Sequence, residues 1–544
     1  MMNNLNIRKN NEYESQVRQF LKDLPITLPC IRSVVFIDAN HIQVEVIPSD
    51  ILQFYNTVKP RFLFILLTMV ALDRRREYAN WQVRTIWCIS ETPIFLEVVT
   101  NIDQSNTVPE LPSITPLFPA ANWYEREMYD FFGIVPVGHP DPRRLAMHYH
   151  WPNTNFPLRQ DENRSTFPPY ISNDEYFQNR TTGSGVMEIP VGPIHAGIIE
   201  PAHFRFSAVG ETIVNLEATF FYTHKGIEKQ LEGLSIEQAR YIIERTCAAC
   251  TVANTLAYCQ ALEQIAGTSL SSRATFLRVI FAELERLYNH IGDTGNLCAG
   301  VGFHVGIQEG AALKEILLDL QERLTGSRYL FGVLRLGGVG VDLSPSDLSL
   351  LHKTLAEVRK RYQRLIKTML LNTSVVDRFT GAGIIFQRTA RELGAVGVAA
   401  RACGVDRDVR RDIPYAAYTQ FNPIAIPLRI SGDVLARLEI RIEEVAESFR
   451  LIDAAIQHLP DGAIQVPLGS LPAASSGFSL TESARGAVCH WFLIGPNQTI
   501  KRARLRTASY VNWPLVPRAA LNNIVPDFPL INKSFELCYS CLDR

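Results

Sequence analysis

The feature that most constrains this chain is a pair of Cys-x-x-Cys motifs, Cys247-Ala248-Ala249-Cys250 and Cys538-Tyr539-Ser540-Cys541, with Cys250 and Cys538 288 positions apart. Two thiolates three positions apart can chelate one metal ion, and two such pairs make a four-sulfur site. Zinc ribbons close their ligands over roughly 15 to 20 residues. A site that joins the middle of the chain to its last residues is unusual for zinc and fits a buried centre around which the fold is assembled. Both readings, structural zinc and buried metal centre, stand at this point.

At 544 residues the chain has room for roughly two to four domains. A hydrophobic content of 47% with 20% charged residues fits a globular protein with a large core. The net charge of −1 gives no electrostatic footprint for nucleic acid. Ten cysteines in so long a chain are too few for a disulfide scaffold. The polar first twenty residues do not read as a secretory signal, so a cytoplasmic protein with reduced thiols is expected. The longest apolar run, Phe62 to Leu72, is too short for a bilayer, which takes about 20 helical residues. Membrane association is therefore expected only through partner subunits.

Val34-Val35-Phe36 and Ile42 to Val46 flank Asp38-Ala39-Asn40, which predicts a hairpin within 30–48. Val83–Ile89 and Ile94–Ile102 predict two more strands, so a small α+β domain opens the chain. An aromatic helix begins at Asn122-Trp123-Tyr124-Glu125 and runs toward Ile134, followed by paired-charge turns at Gly138–Leu145 and Pro157–Asp161. Residues 166–187 are polar and rich in turn formers, and read as a linker. Beyond it, Gly192 to Gly197 and Glu200 to Arg205 sit on turns before a strand at Ile213–Phe221, and Tyr222 to Lys229 follows.

Four helices are then predicted. One starts at a capping box, Ser235 with Gln238, and runs to Ile265 with the first Cys pair inside it or at a break. A second covers 272–291. The third starts at Ser344-Pro345 and places Leu348, Leu351, Leu355, Val358, Tyr362, Leu365 and Met369 on one face. In the fourth, apolar residues from Leu435 to Leu459 alternate spacings of three and four, a coiled-coil-like seam. These helices argue for a bundle. Residues 463–544 return to short β and irregular segments.

With these pieces in order, the chain resembles the large catalytic subunit of energy-converting, membrane-bound [NiFe] hydrogenases of the formate hydrogenlyase type, from about residue 30 to residue 544. Residues 122–161 resemble the signature of the small hydrophilic complex I subunit, which in that type is fused in front. The resemblance implies an α+β architecture: a complex I-like domain at 1–165, the linker, and at 188–544 a large-subunit domain, like the complex I quinone-site subunit, on a long-helix bundle with peripheral β segments. It also implies reversible reduction of two protons to H2 at a NiFe(CN)2CO centre. Cys247, Cys250, Cys538 and Cys541 match the nickel ligands, with Cys250 and Cys541 also bridging to iron. Arg485 matches the arginine suspended over the open metal position, and Glu200 the glutamate that passes protons toward a nickel thiolate. Glu228 matches an outer magnesium or iron ligand.

No iron–sulfur ligand set of the chain's own is visible. The implied partners are an iron–sulfur small subunit, a ferredoxin-like electron-transfer subunit, membrane antiporter-like and quinone-site-like subunits, and formate dehydrogenase. They would place the protein on the inner face of the cell membrane. The chain departs from the family pattern Cys-Gly-x-Cys-x-x-x-His at Ala248 and Asn254, and from Asp-Pro at Glu536-Leu537. Asn254, one helical turn after Cys250, is expected to face the C-terminal pair and tune it. The end at Arg544, where the family's extension is cut, is expected to mark the processed form or a gene without that extension.

Cys30, Cys88, Cys259, Cys298, Cys403 and Cys489 lack paired spacing and read as core or inert thiols. His203, His224 and His290 read as structural, and His195 as structural or quinone-facing. A second function class also stands: a complex I-like coupling or assembly subunit with a degenerate or zinc-filled site.

Overall fold

The computed structural model describes residues 2–105, 108–161, 168, 169, 171, 181–196 and 199–544, with side chains from residue 12 onward. Most of the segment read as a linker lies outside the described residues, as does Gly197. The chain forms two compact units, Met1–Gln178 and Asn179–Arg544, and the fold class is α+β.

The first unit opens with helix α1 (Met2–Thr27) and the predicted hairpin, β1 (Ile31–Phe36) and β2 (His41–Val46). Helix α2 (Ile51–Val58) leads to β3 (Phe64–Arg74), β4 (Asn80–Ile89) and β5 (Phe95–Asp103). The five strands pair in the order β1-β2-β5-β4-β3, antiparallel except at β2–β5. From Phe64 onward the long apolar run is thus an edge strand, buried except at Ile65 and Arg74. Helix α3 (Asn122–Phe132), the predicted aromatic helix, packs on it. Glu125 of α3 is buried and accepts hydrogen bonds from Ser113 Oγ, Thr115 Oγ1 and the Ile114 amide at 2.5 to 2.7 Å. Asp130 Oδ2 likewise accepts the amides of Leu145, Ala146 and Met147. The charges of this signature hold loops onto α3.

The second unit begins with an antiparallel sheet of β6 (Val186–Val191), β7 (His203–Val209) and β8 (Thr212–Thr219). The helix predicted from Ser235 to Ile265 is divided: α4 (Ile236–Glu244) carries the capping box, and α5 (Thr251–Ile265) follows a break. Next come α6 (Ser272–Ala299), α7 (His304–Thr325), α8 (Pro345–Leu370) and α9 (Val434–Gln457). These last four form the bundle, α6 packing on α7 and α9, and α8 on α7 and α9. The bundle's membership differs from the expectation: α7 was not read from the sequence, and α5 lies instead on the C-terminal sheet. That sheet is β9 (Ser476–Ser483), β10 (Gly486–Ile494) and β11 (Ile500–Arg506), all antiparallel.

Ile243 of α4, Tyr258 and Leu262 of α5, and Phe492, Ile494 and Leu505 of the sheet share one core. Each buried side chain of this size contributes about 1.5 to 3 kcal/mol. This core fixes both ends of the break between α4 and α5. The seam of α9 is only half-buried at Leu435, Ile442 and Ile456. A second face of α9, with Arg437, Arg441, Glu444, Glu447 and Ser448, is buried instead. Helix α10 (Phe528–Phe535) and the short α11 (Tyr539–Asp543) end the chain.

Candidate metal centre

The break between α4 and α5 creates the first half of the site. Arg245 caps α4, Cys247 is extended, and Ala248–Cys250 make one tight helical turn before Thr251 starts α5. Thr251 Oγ1 donates to the Ala248 carbonyl at 3.0 Å, satisfying an acceptor that the break leaves open. Helix α6 supplies the rest. Glu285 accepts the Val252 and Ala253 amides at 2.5 and 3.0 Å, two of the orphan donors of a helix start. Tyr288 and Asn289 donate to the carbonyls of Ala248 and Ala249.

The second pair is held differently. Glu536 turns the chain left-handed after α10, the Cys538 amide donates to Ser509 Oγ, and Thr507 Oγ1 donates to the Cys541 carbonyl. The two pairs then meet. All four Sγ atoms lie within 4.8 Å of one another, and Cys250 Sγ is 3.9 Å from Cys538 Sγ. Sulfurs sharing one ion at about 2.3 Å in tetrahedral geometry sit about 3.8 Å apart, so the spacing fits a shared metal. Cys247, Cys250 and Cys541 are buried and Cys538 half-buried. Hydrogen bonds from Cys247, Cys250 and Cys541 pull the Cys538 thiol well below its usual range, and the charge of Arg485 adds to this. As donors, Cys250 and Cys541 are pushed well above theirs. A cation relieves such competition by taking thiolates from all four. The donor set fits a soft transition metal. The other six cysteines are buried, with no disulfide among the described residues.

Arg485 stands between β9 and β10. It forms a two-pronged ion pair with Asp293 of α6, its Nη2 lying 2.9 Å from Oδ1, and donates to Asn289 Oδ1 at 3.2 Å. Asn289 thus grips the first Cys loop and the arginine together. The arginine's Nε has no acceptor among the described residues. Glu200 accepts from the amide and the hydroxyl of Ser540, at 3.0 and 2.8 Å. It is thereby fixed to the residue between Cys538 and Cys541.

Two expectations are corrected. Asn254 does not reach the sulfurs: its Oδ1 lies 3.1 Å from His490 Nε2 of β10, and its Nδ2 has no partner among the described residues. Because α5 starts afresh after the break, residue 254 turns toward the sheet. Glu228 does not fit an outer magnesium or iron. Its Oε2 accepts from Arg502 at 2.7 Å, and its Oε1 from Arg544 at 2.9 Å, the Leu505 amide at 3.0 Å and Arg504 at 3.3 Å. The charges of Arg502, Arg504 and Arg544 outweigh burial and hold its carboxyl far below the usual range. A further cation would enter a ring of three guanidinium groups.

Sequence reasoning missed a buried charged chain behind Arg485. His290 lies 3.7 Å from Asp293 and 2.9 Å from Glu444 of α9. Glu444 pairs with Arg401, which meets Asp408 and Glu482 at 3.2 and 3.1 Å. Arg286 and Arg410 meet Glu283 at 3.2 Å, within the same interior. Burial, then the charge of Asp408, pushes the Glu482 carboxyl up to about 7. The available signal was Glu283, Glu285, Arg286 and Asp293 inside a long apolar helix.

Among known proteins, residues 44–168 match the family model of the respiratory-chain NADH dehydrogenase 30 Kd subunit, and residues 301–472 that of the 49 Kd subunit. Formate hydrogenlyase subunit 5 of Escherichia coli is 33% identical over 87% of this chain and 83% of its own length. Hydrogenase-4 component G of Escherichia coli is 34% identical over 80% of this chain and 76% of its own. The C/D subunit of the NADH-quinone oxidoreductase of Phocaeicola vulgatus is 31% identical over 70% of this chain and 78% of its own.

Proposed function

This chain belongs to the hydrogenase-subunit family of formate hydrogenlyase subunit 5 and hydrogenase-4 component G, and from that premise we propose that it is the catalytic subunit of a membrane-associated [NiFe] hydrogenase. The observation that carries the reading is the gathering of four sulfurs from the middle and the end of the chain within 4.8 Å. Cys247, Cys250, Cys538 and Cys541 would hold nickel, with Cys250 and Cys541 shared with an iron carrying carbon monoxide and cyanide. Such a centre supplies the two-electron interconversion of H2 with two protons.

The chain's own residues supply charge and protons. Arg485 is held by Asp293 and Asn289 close enough to Cys538 for its charge to act there, so it stabilises negative charge without reorganising. Glu200, fixed to Ser540, takes and returns a proton at a carboxylate oxygen beside the second pair. Electrons would come from an iron–sulfur small subunit, with ferredoxin-like, antiporter-like and quinone-site-like subunits and formate dehydrogenase as further partners. No helix among the described residues is long and apolar enough to cross a membrane, so attachment to its inner face would run through those partners.

The second reading, a complex I-like coupling or assembly subunit with a zinc-filled site, draws on the likeness to the NADH-quinone oxidoreductase of Phocaeicola vulgatus. Elemental analysis of the natively matured complex separates them. About one nickel per chain, with infrared bands of iron-bound carbon monoxide and cyanide, is expected. Stoichiometric zinc without nickel would overturn the hydrogenase reading.

A further inference from the structure

The loop 221–228 touches both halves of the metal centre. Lys225 Nζ donates to the carbonyl of Thr246, next to Cys247, at 3.2 Å. On the other side, the Asp543 carboxylate accepts the Phe221 amide at 2.9 Å and the Thr223 amide and hydroxyl at 3.0 and 2.7 Å. The Arg544 carbonyl accepts the Lys225 and Gly226 amides at 2.8 and 3.1 Å. The loop ends in Glu228, buried among Arg502, Arg504 and Arg544. Arg544 also donates to the Leu505 carbonyl at 2.7 Å, beside the Leu505 amide that binds Glu228. Sheet, loop and C-terminal segment thus converge on one carboxylate.

We propose that Glu228 is a positioning residue whose counter-ions are the guanidinium groups of Arg502, Arg504 and Arg544 in place of a divalent cation, and that this cluster sets the Cys538–Cys541 turn in register with Cys247–Cys250. An ammonium or a hydrated metal ion could neutralise Glu228 equally well. The Arg544 guanidinium also donates to the Leu505 carbonyl, its planar fork fixing the direction of both bonds, and it does so from within three residues of Cys541. The tie therefore links charge satisfaction at Glu228 to sulfur placement. It rests on the four sulfurs binding one ion and is indifferent to which ion that is in the cell.

The test is cobalt(II) titration of the full chain freed of metal, following the thiolate-to-cobalt absorption. If the parent chain takes up no cobalt, the four-sulfur reading itself fails, separately from the tie. In a chain that binds, Glu228→Gln and Arg544→Met are each expected to weaken cobalt about 10- to 100-fold and to shift the visible bands that report ligand geometry. Glu228→Asp, which keeps the charge, should recover most of the affinity. Combining Glu228→Gln with Arg544→Met should be scarcely worse than the weaker single variant, because each removes the same tie. Arg544→Met keeps the test open if Glu228→Gln fails to fold. A lowered melting temperature with unchanged cobalt affinity and bands would overturn the proposal, as would additive losses. Magnesium uptake by the parent chain that Glu228→Gln abolishes would also overturn it.

Discussion

Both oxygens of Glu200 are committed to Ser540, so its carboxylate has a fixed place beside the second cysteine pair. Glu200→Gln keeps the size but cannot carry a proton at neutral pH. Nickel content should stay normal while H2/D+ exchange falls by roughly 10²-fold or more. Unchanged exchange would remove Glu200 from the proton route. Arg485→Lys keeps the charge and loses the fork that grips Asp293, so turnover should drop steeply with the centre intact. Asp130, far along the chain, offers a prediction about stability. Burial lifts its carboxyl from 3.8 to about 6, against the pull of Arg144 and three amides. The unfolded chain therefore releases this proton first as pH rises. Stability from this residue falls between pH 3.8 and 6, by on the order of 3 kcal/mol, and is flat above. Urea melts should show Asp130→Asn closing on the parent or overtaking it across that window, with a constant difference beyond it. Glu200 and Arg485 could be singled out in the sequence because they sit in motifs, and the structure gives their partners, Ser540 and Asp293. Asp293, Asn289 and Glu285 were not, because their roles depend on which residues of α6 face the Cys loop.

At the level of elements, the crossing of α6 and α7 shows why one helix escaped the sequence reading. A Cβ built on Gly310 would lie 2.5 Å from the Gly295 Cα, so the two backbones touch. Close approach needs Gly306 and Gly310 where bulky apolar residues would otherwise mark the period, and the hydrophobic pattern of α7 is faint. Helix α8, whose side is built from Leu351, Leu355, Val358 and Met369, was legible for the opposite reason. Gly310→Ala should force the helices apart and cost about 1 to 3 kcal/mol in denaturant midpoints. A change within about 0.5 kcal/mol would mean that the crossing yields freely. The break between α4 and α5 was open in the sequence because its cause is remote: Glu285 and Asn289 satisfy the groups that a continuous helix would have paired internally.

For the whole molecule, the division into an N-terminal sheet and a helix-rich second unit was readable from the change in apolar spacing along the chain. The closure of the second unit was not. The cysteines announced that residues 247–250 and 538–541 meet, but the second pair is held largely by backbone amides of 221–226 donating to the Asp543 carboxylate and the Arg544 carbonyl, and the first by the Lys225 ammonium on the Thr246 carbonyl, contacts that follow no sequence spacing. A metal joining points 288 residues apart could remove on the order of 5 kcal/mol of chain entropy from the unfolded state. In the folded chain Asp543, Arg544 and Glu200 already hold the C-terminal segment, so much of that closure exists without the metal. Stripping the metal should therefore loosen the site locally and leave the domain folded. In hydrogen–deuterium exchange, amides of 246–250, 538–544 and 221–228 should lose protection together, while α6 and α9 keep theirs. Loss of protection spreading through both helices would mean that the metal holds up the whole bundle. Loss confined to 246–250 would mean that the C-terminal segment is anchored independently of the sulfurs.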